Sequence, residues 1–268
     1  MKATGKVSIA ILIFISLISI FAPFLSGYDP DRIDLDSMKE PPNSRHLFGT
    51  DNKGRDIFSR ILYGGRISIG IAVTAALLSM GIGLVIGLCS GYFGGKVDIA
   101  IMALVDLILS FPALLLAIGI SVIFPPGIYT VMIAIAAVGW APFARLIRGY
   151  ILTLRGDLFI EAEKALGNSD LRILFVHLMP QCFPLLLVMI GLKLGGYLLT
   201  EASLSFLGLG AQPPTATWGS MISANRAYIS SAPWMVIFPG LMIAVTVLCF
   251  NIAGDSLKDR YGYPLRFS

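Results

Sequence analysis

Residues 67–90 read ISIGIAVTAALLSMGIGLVIGLCS, a stretch without Asp, Glu, Lys, Arg or His. About 20 mostly apolar residues suffice for a helix to cross a bilayer core, and this run is longer. Gly81, Gly83, Gly87 and Gly91 recur at spacings of two to four residues. Small residues at such spacing let membrane helices approach closely. The run is therefore read as a transmembrane helix with a small-residue packing surface.

Working outward, five further apolar runs flank it: Val7–Ser26, Val97–Ile123, Tyr129–Leu146, Phe183–Leu207 and Trp234–Ile252. The expected fold is all-α, a polytopic membrane protein with six transmembrane helices. Composition agrees: 56% of the 268 residues are hydrophobic and only 13% are charged, about half the charge of a soluble domain. A chain this short and apolar cannot hide all its apolar side chains in a globular core, so some must face lipid. The first run follows Lys2 and Lys6, as a cleaved signal peptide would. Signal h-regions span roughly 7–15 residues and end at a small-residue cleavage site, whereas this run is longer and ends in Phe21-Ala22-Pro23-Phe24. It is read as a retained helix.

Turn residues separate the runs: Gly91–Lys96, Pro125-Pro126-Gly127, and Leu209–Ala232 with Pro213 and Pro214. The expected organisation is an N-terminal end and first helix over 1–26 and an extracytoplasmic loop over 27–65. A core of five helices over 66–256 follows, with a cytoplasmic loop at 149–180 and a cytoplasmic tail over 257–268. With the N-terminus inside, eleven basic residues fall inside and eight outside. Basic residues favour the cytoplasmic side, so both termini are expected in the cytoplasm, although the bias is small.

Several functions lack their residues. The net charge of +4 suits membrane edges, and no basic patch interleaved with aromatics marks nucleic-acid binding. Cys89, Cys182 and Cys249 lie far apart, without metal-ligand or redox spacing, and His46 and His177 are too few and too separated for a zinc site. No catalytic residue and no metal ligand is assigned, and no cofactor is expected. The phosphate-binding pattern G-x4-G-K-[ST] is missing, since Gly95-Lys96 runs on into Val97. The chain is expected not to hydrolyse ATP.

The segment Arg145–Pro180 reads RLIRGYILTLRGDLFIEAEKALGNSDLRILFVHLMP. Asp157 can cap a helix, on which Leu158, Glu161, Ala162 and Ala165 share a face. Gly167 and Asn168 end that helix, and Ser169 or Asp170 starts another that runs to Pro180 at the membrane. The result is a short amphipathic helix lying across the cytoplasmic face and joined to membrane helices at both ends, a geometry suited to a lever.

Here the sequence resembles a family. Glu161-Ala162-Glu163, Gly167 and His177-Leu178-Met179-Pro180 resemble the E-A-A-x3-G-x9-[IH]-x-L-P signature of ATP-binding cassette importer permeases. Glu163 replaces the second alanine, placing a charge on the presumed docking face, and Met179 replaces the usual leucine. Further ordered blocks resemble the dipeptide, oligopeptide and nickel subfamily, second permease type. They are His46–Asp51, Gly54–Arg60, Asp106 with Phe111–Leu116, Glu201–Gly210 with Gln212-Pro213-Pro214 and Trp218-Gly219, and Phe250–Leu257.

The resemblance implies a MetI-like importer permease core in a prokaryotic plasma membrane. It implies a second, different permease subunit completing the path, two ATP-binding subunits below, and an extracytoplasmic solute-binding protein above. Glu161, Ala162, Glu163, Ala165, Gly167, Asp170 and Pro180 would couple the chain to an ATPase. Peptides are the expected cargo; nickel or a metal chelate is the alternative, and an ion-coupled secondary transporter is a further one. Asp106, Lys193 and Glu201 fall within predicted spans. Ionisable residues there are costly and often face a cavity or a partner, which makes them candidates for the translocation path. His177 and His46 are read as structural.

Overall fold

The computed structural model describes residues 3–261. Lys2, Arg266 and residues 262–268 of the expected tail lie outside the described residues. Among the described residues, the only β-pairing is an isolated bridge between Thr50 and Asp56.

Helix α1 (Ala3–Ile20) and the single turn α2 (Ala22–Leu25) lead into the polar connection of residues 26–56. Helix α3 (Ile57–Phe93) contains 37 residues, roughly 55 Å at 1.5 Å per residue. That exceeds a hydrocarbon core of about 30 Å, so α3 projects beyond the membrane. Its start is set by Asp56, whose carboxylate accepts from the Ser59 N–H at 2.7 Å and so satisfies one of the free donors of the first turn. It ends at Gly94, whose φ of +66° is a conformation that glycine adopts without strain.

The apolar run 97–123 is not one straight helix. It divides into α4 (Gly95–Ser110) and α5 (Ala113–Ile123), bent by 95°. Pro112 is the cause. It has no N–H to continue the ladder, and it disfavours helical backbone at the residue before it; Phe111 is extended, at φ −93° and ψ 145°.

Helix α6 (Ile128–Leu154) follows, then α7 (Leu158–Ala165), the short α8 (Asp170–Arg172) and α9 (Met179–Phe206). The expected stop at Pro180 does not occur. Residues Ile173–Leu178 form a π-helical stretch that joins α8 to α9 in one continuous helical stretch, Asp170–Phe206, and Pro180, with no N–H to continue the ladder, lies just after the π-helical residues. Helices α10 (Trp218–Asn225) and α11 (Trp234–Tyr261) complete the chain.

Five helical stretches are long and apolar enough to cross a bilayer, and the bent α4–α5 pair supplies the sixth crossing. Connectivity requires that sixth crossing. Gly94, before α4, lies against Arg155 at the end of α6, whereas the Gly127 N–H, after α5, donates to the Leu209 carbonyl beyond the far end of α9. The near face therefore carries residues 93–95 and 155–178. The far face carries 26–56, 124–127 and 207–233.

The core is assembled on the α3–α6 contact. A methyl group on Gly87 would come within 2.6 Å of the Ala144 carbonyl, and one on Gly91 within 2.7 Å of the Ile151 Cβ. Gly83 likewise faces Phe143 and Trp140, while Gly81 meets open space. Three of the four glycines thus bring α3 against α6.

Candidate functional site

The near-face segment is built from α7 outward. Asp157 occupies the N-cap position, but its side chain makes no capping bond. At the other end the Asn168 N–H donates to the Glu163 carbonyl and the Gly167 N–H to that of Lys164, with Gly167 at φ +79°. This is the paired closure of a Schellman motif. Ser169 caps the next turn by accepting from the Arg172 N–H at 3.4 Å.

Ile160 is fully buried and anchors α7 to the main core. The opposite face is open: Leu158 is 83% and Leu166 78% exposed, and Glu161, Ala162 and Ala165 between them are exposed as well. This leaves a solvated, largely apolar face on α7.

Glu163 and Asp170 point elsewhere. Glu163 accepts from the Asn168 side-chain amide and lies 3.5 Å from His177 Nε2. Its carboxylate therefore braces the segment from within and adds no free charge to the exposed face. Asp170 accepts from the Tyr92 hydroxyl at 2.6 Å. Pro180 is exposed at the start of α9. Glu161, Ala162 and Ala165 thus share one surface, Glu163, Gly167 and Asp170 brace the segment behind it, and Pro180 lies apart from both.

The three membrane charges do not meet. Asp106 on α4 pairs with Arg145 on α6, and both side chains are open, at 68% and 48% exposure. Lys193 is half-buried on α9. Glu201 has no exposed surface at all. The Ser205 hydroxyl donates to its Oε1 at 2.7 Å, while Oε2 has no partner among the described residues. The hydroxyls of Ser68 and Thr217 lie beside it. Thr217 caps α10 through a reciprocal pair of bonds with Ser220. The Trp218 N–H donates to Ser68 Oγ at 3.2 Å, and its indole N–H to the Ile61 carbonyl at 3.0 Å. Glu201 therefore sits where α3, α9 and the inward-tucked start of α10 converge.

Sequence reading passed over a second polar row at the near face. Arg148 holds Asp98 through two bonds, of 3.0 and 2.6 Å. Arg155 reaches the Tyr92 carbonyl at 3.5 Å, and the Lys164 ammonium lies 5.2 Å above the Tyr92 ring. The arginines had registered only as loop charge. Their spacing in the chain carries no sign that they face α3 and α4.

Residues 83–263 match the model of the family of binding-protein-dependent transport system inner membrane components, and residues 4–42 match the N-terminal transmembrane domain of oligopeptide transport permease C. The chain belongs to this permease family. The permease is 40% identical to the oligopeptide transport system permease protein OppC of Bacillus subtilis, over 98% of this chain and 86% of that protein. It is 43% identical to the dipeptide transport system permease protein DppC of Alkalihalophilus pseudofirmus, over 95% and 85% of the two chains. It is 42% identical to the glutathione transport system permease protein GsiD of Pectobacterium atrosepticum, over 94% and 85%. Among solved structures, an inward-facing form of the MetNI methionine ABC transporter superposes with a TM-score of 0.62 at 17% identity, over 76% of the permease and 97% of that chain. The MetI-like fold expected from the motifs is thereby established. The permease is a multi-pass membrane transport subunit.

Proposed function

We propose that the permease forms half of the translocation path of an ATP-driven peptide importer and couples to a cytoplasmic ATPase through α7. The observation that carries this is the division of α7 into a buried anchor, Ile160, and an exposed face of Leu158, Glu161, Ala162, Ala165 and Leu166. An amphipathic helix with an unpaired apolar face is a ready ligand for a groove. Covalent continuity through the π-helical stretch into α9 turns a push on α7 into movement of a membrane helix. Rigid-body coupling of this sort needs no chemistry in the moving subunit.

The near face is then cytoplasmic, with both termini on it, and the far face meets a solute-binding protein. Two ATP-binding subunits and a second, different permease complete the assembly. Relatives named for oligopeptides, dipeptides and glutathione support a peptide cargo over nickel. The open Asp106–Arg145 pair marks the path-facing side of α4, because an ion pair facing lipid is costly. Glu201 is wholly interior, at the junction of α3, α9 and α10.

Co-expression with the ATPase subunits tests the coupling. Wild-type permease captures them, and Gly167→Asp or Ala162→Trp abolishes capture without loss of the permease from the membrane. Capture that survives both substitutions overturns the assignment. Vesicles of the assembled transporter accumulate a labelled oligopeptide in preference to nickel; the reverse preference would reassign the cargo.

A further inference from the structure

Three contacts from the near-face segment converge on one residue that lies outside it. Tyr92 is in the last turn of α3 and is almost fully buried. Its hydroxyl donates to Asp170 at the start of α8, at 2.6 Å. Its ring lies under the Lys164 ammonium on α7, at 5.2 Å. Its carbonyl accepts from Arg155 at the end of α6, at 3.5 Å. Two residues away, Ser90 donates to Asp98, which Arg148 holds from α6. The last two turns of α3 are therefore tied to α4, to the end of α6 and to α8 by hydrogen bonds, and to α7 by the Lys164–ring contact.

The other end of α3 is tied as well. Asp56, its N-cap, accepts from Ser59 and pairs with His46 at 2.9 Å. Gly65 leaves room for the Trp218 ring, which is anchored on the Ile61 carbonyl. Helix α3 thus runs unbroken from the near-face segment to the far-face cap and the start of α10. A movement of α7 can reach the far face by two routes. One is covalent, through α9. The other has no covalent link and passes through Tyr92 into α3.

We infer that Tyr92 is a positioning residue that couples α7 and α8 to α3, so that α3 and α9 are driven together. This rests on α7 being the ATPase-docking helix. The tie is specific. A hydroxyl–carboxylate bond is charge-assisted and directional, and phenylalanine keeps the ring and its stacking while removing that bond alone. Without it, a push on α7 still reaches α9 but moves α3 less, and the far face opens incompletely.

The test has two arms. In the first, amide hydrogen exchange is measured on the full chain in lipid nanodiscs. Tyr92→Phe and Asp170→Ala each raise exchange over residues 158–170 about tenfold, the scale of one lost hydrogen bond to a charged group, while exchange over 57–90 is unchanged. The double variant is no worse than either single one. Unchanged exchange at 158–170, additive effects, or loosening of 57–90 overturns the inference. In the second arm, the assembled transporter carrying Tyr92→Phe captures its ATPases and hydrolyses ATP as wild type does, but takes up about tenfold less tri-alanine per ATP, the same hydrogen-bond scale. An unchanged ratio also overturns it. Failure of the wild type to capture ATPases would strike the docking role of α7 instead, and the exchange arm would still decide whether Tyr92 holds the segment.

Discussion

The two faces of the molecule use the same local device in opposite surroundings. On the far face, Gly49 and Gly54 adopt φ of +74° and +72° with no room for a side chain. Around them Asp51 and Arg55 form a buried ion pair at 2.7 Å, and Asp51 also accepts from the Lys53 and Arg55 N–H groups. Arg60 binds Asp31 at 2.8 Å and the Pro30 carbonyl at 2.7 Å. On the near face, Gly167 has a φ of +79° and nothing within 4 Å of where a side chain would go. Ile160 is the one buried residue of α7. The far-face cap is cross-braced from within. The near-face segment is pinned at a few points and leaves its outer surface free, which suits the docking role proposed for α7.

That contrast can be broken in order of expected effect. Removing one partner of a buried ion pair leaves the other charge unpaired and costs about 3–5 kcal/mol. Arg55→Met should therefore produce the largest fall in the thermal unfolding midpoint of detergent-purified permease. A midpoint equal to wild type would mean that the cap is not braced by this pair. Next comes Gly54→Ala. Left-handed backbone costs a non-glycine residue roughly 1–2 kcal/mol, and the methyl would overlap the Asp34 carbonyl, bringing the loss to about 2–4 kcal/mol with overpacking included. The same unfolding measurement checks it.

Gly167→Ala meets only the backbone penalty and should cost about 1 kcal/mol. It should show as faster amide exchange confined to residues 163–170, with the global midpoint barely moved. A drop matching that of Gly54→Ala would erase the contrast. The smallest stability effect belongs to Leu158→Ser and Leu166→Asn. At exposed positions such changes stay within about 0.5 kcal/mol, yet each should abolish ATPase capture. Capture that persists in both would show that the free face of α7 has no partner there.

How much of this was legible in the chain differs by region. The α7 helix, its Gly167 stop and its restart at Ser169 were all readable, because caps and breakers act over three or four residues. Six crossings were readable too, because length and apolarity set them. The break at Phe111-Pro112 was present in the sequence but was hidden by an apolar run that counting alone treats as continuous. Glu163 shows the other difficulty. Its helical position suggested a docking charge, yet Asn168 and His177 turn its carboxylate inward. Glu201 looked like a candidate for the path and is wholly interior.

By itself, the sequence determined that the chain lives in a bilayer, how often it crosses, where its short amphipathic helix begins and ends, and which family it resembles. These rest on composition and on interactions between near neighbours in the chain. Only the tertiary structure decided which charges face outward, which glycines seat α6 against α3, and that Tyr92 meets Asp170 across 78 positions. Those outcomes depend on which helix faces meet, and no local pattern encodes the contact between two segments that the fold alone brings together.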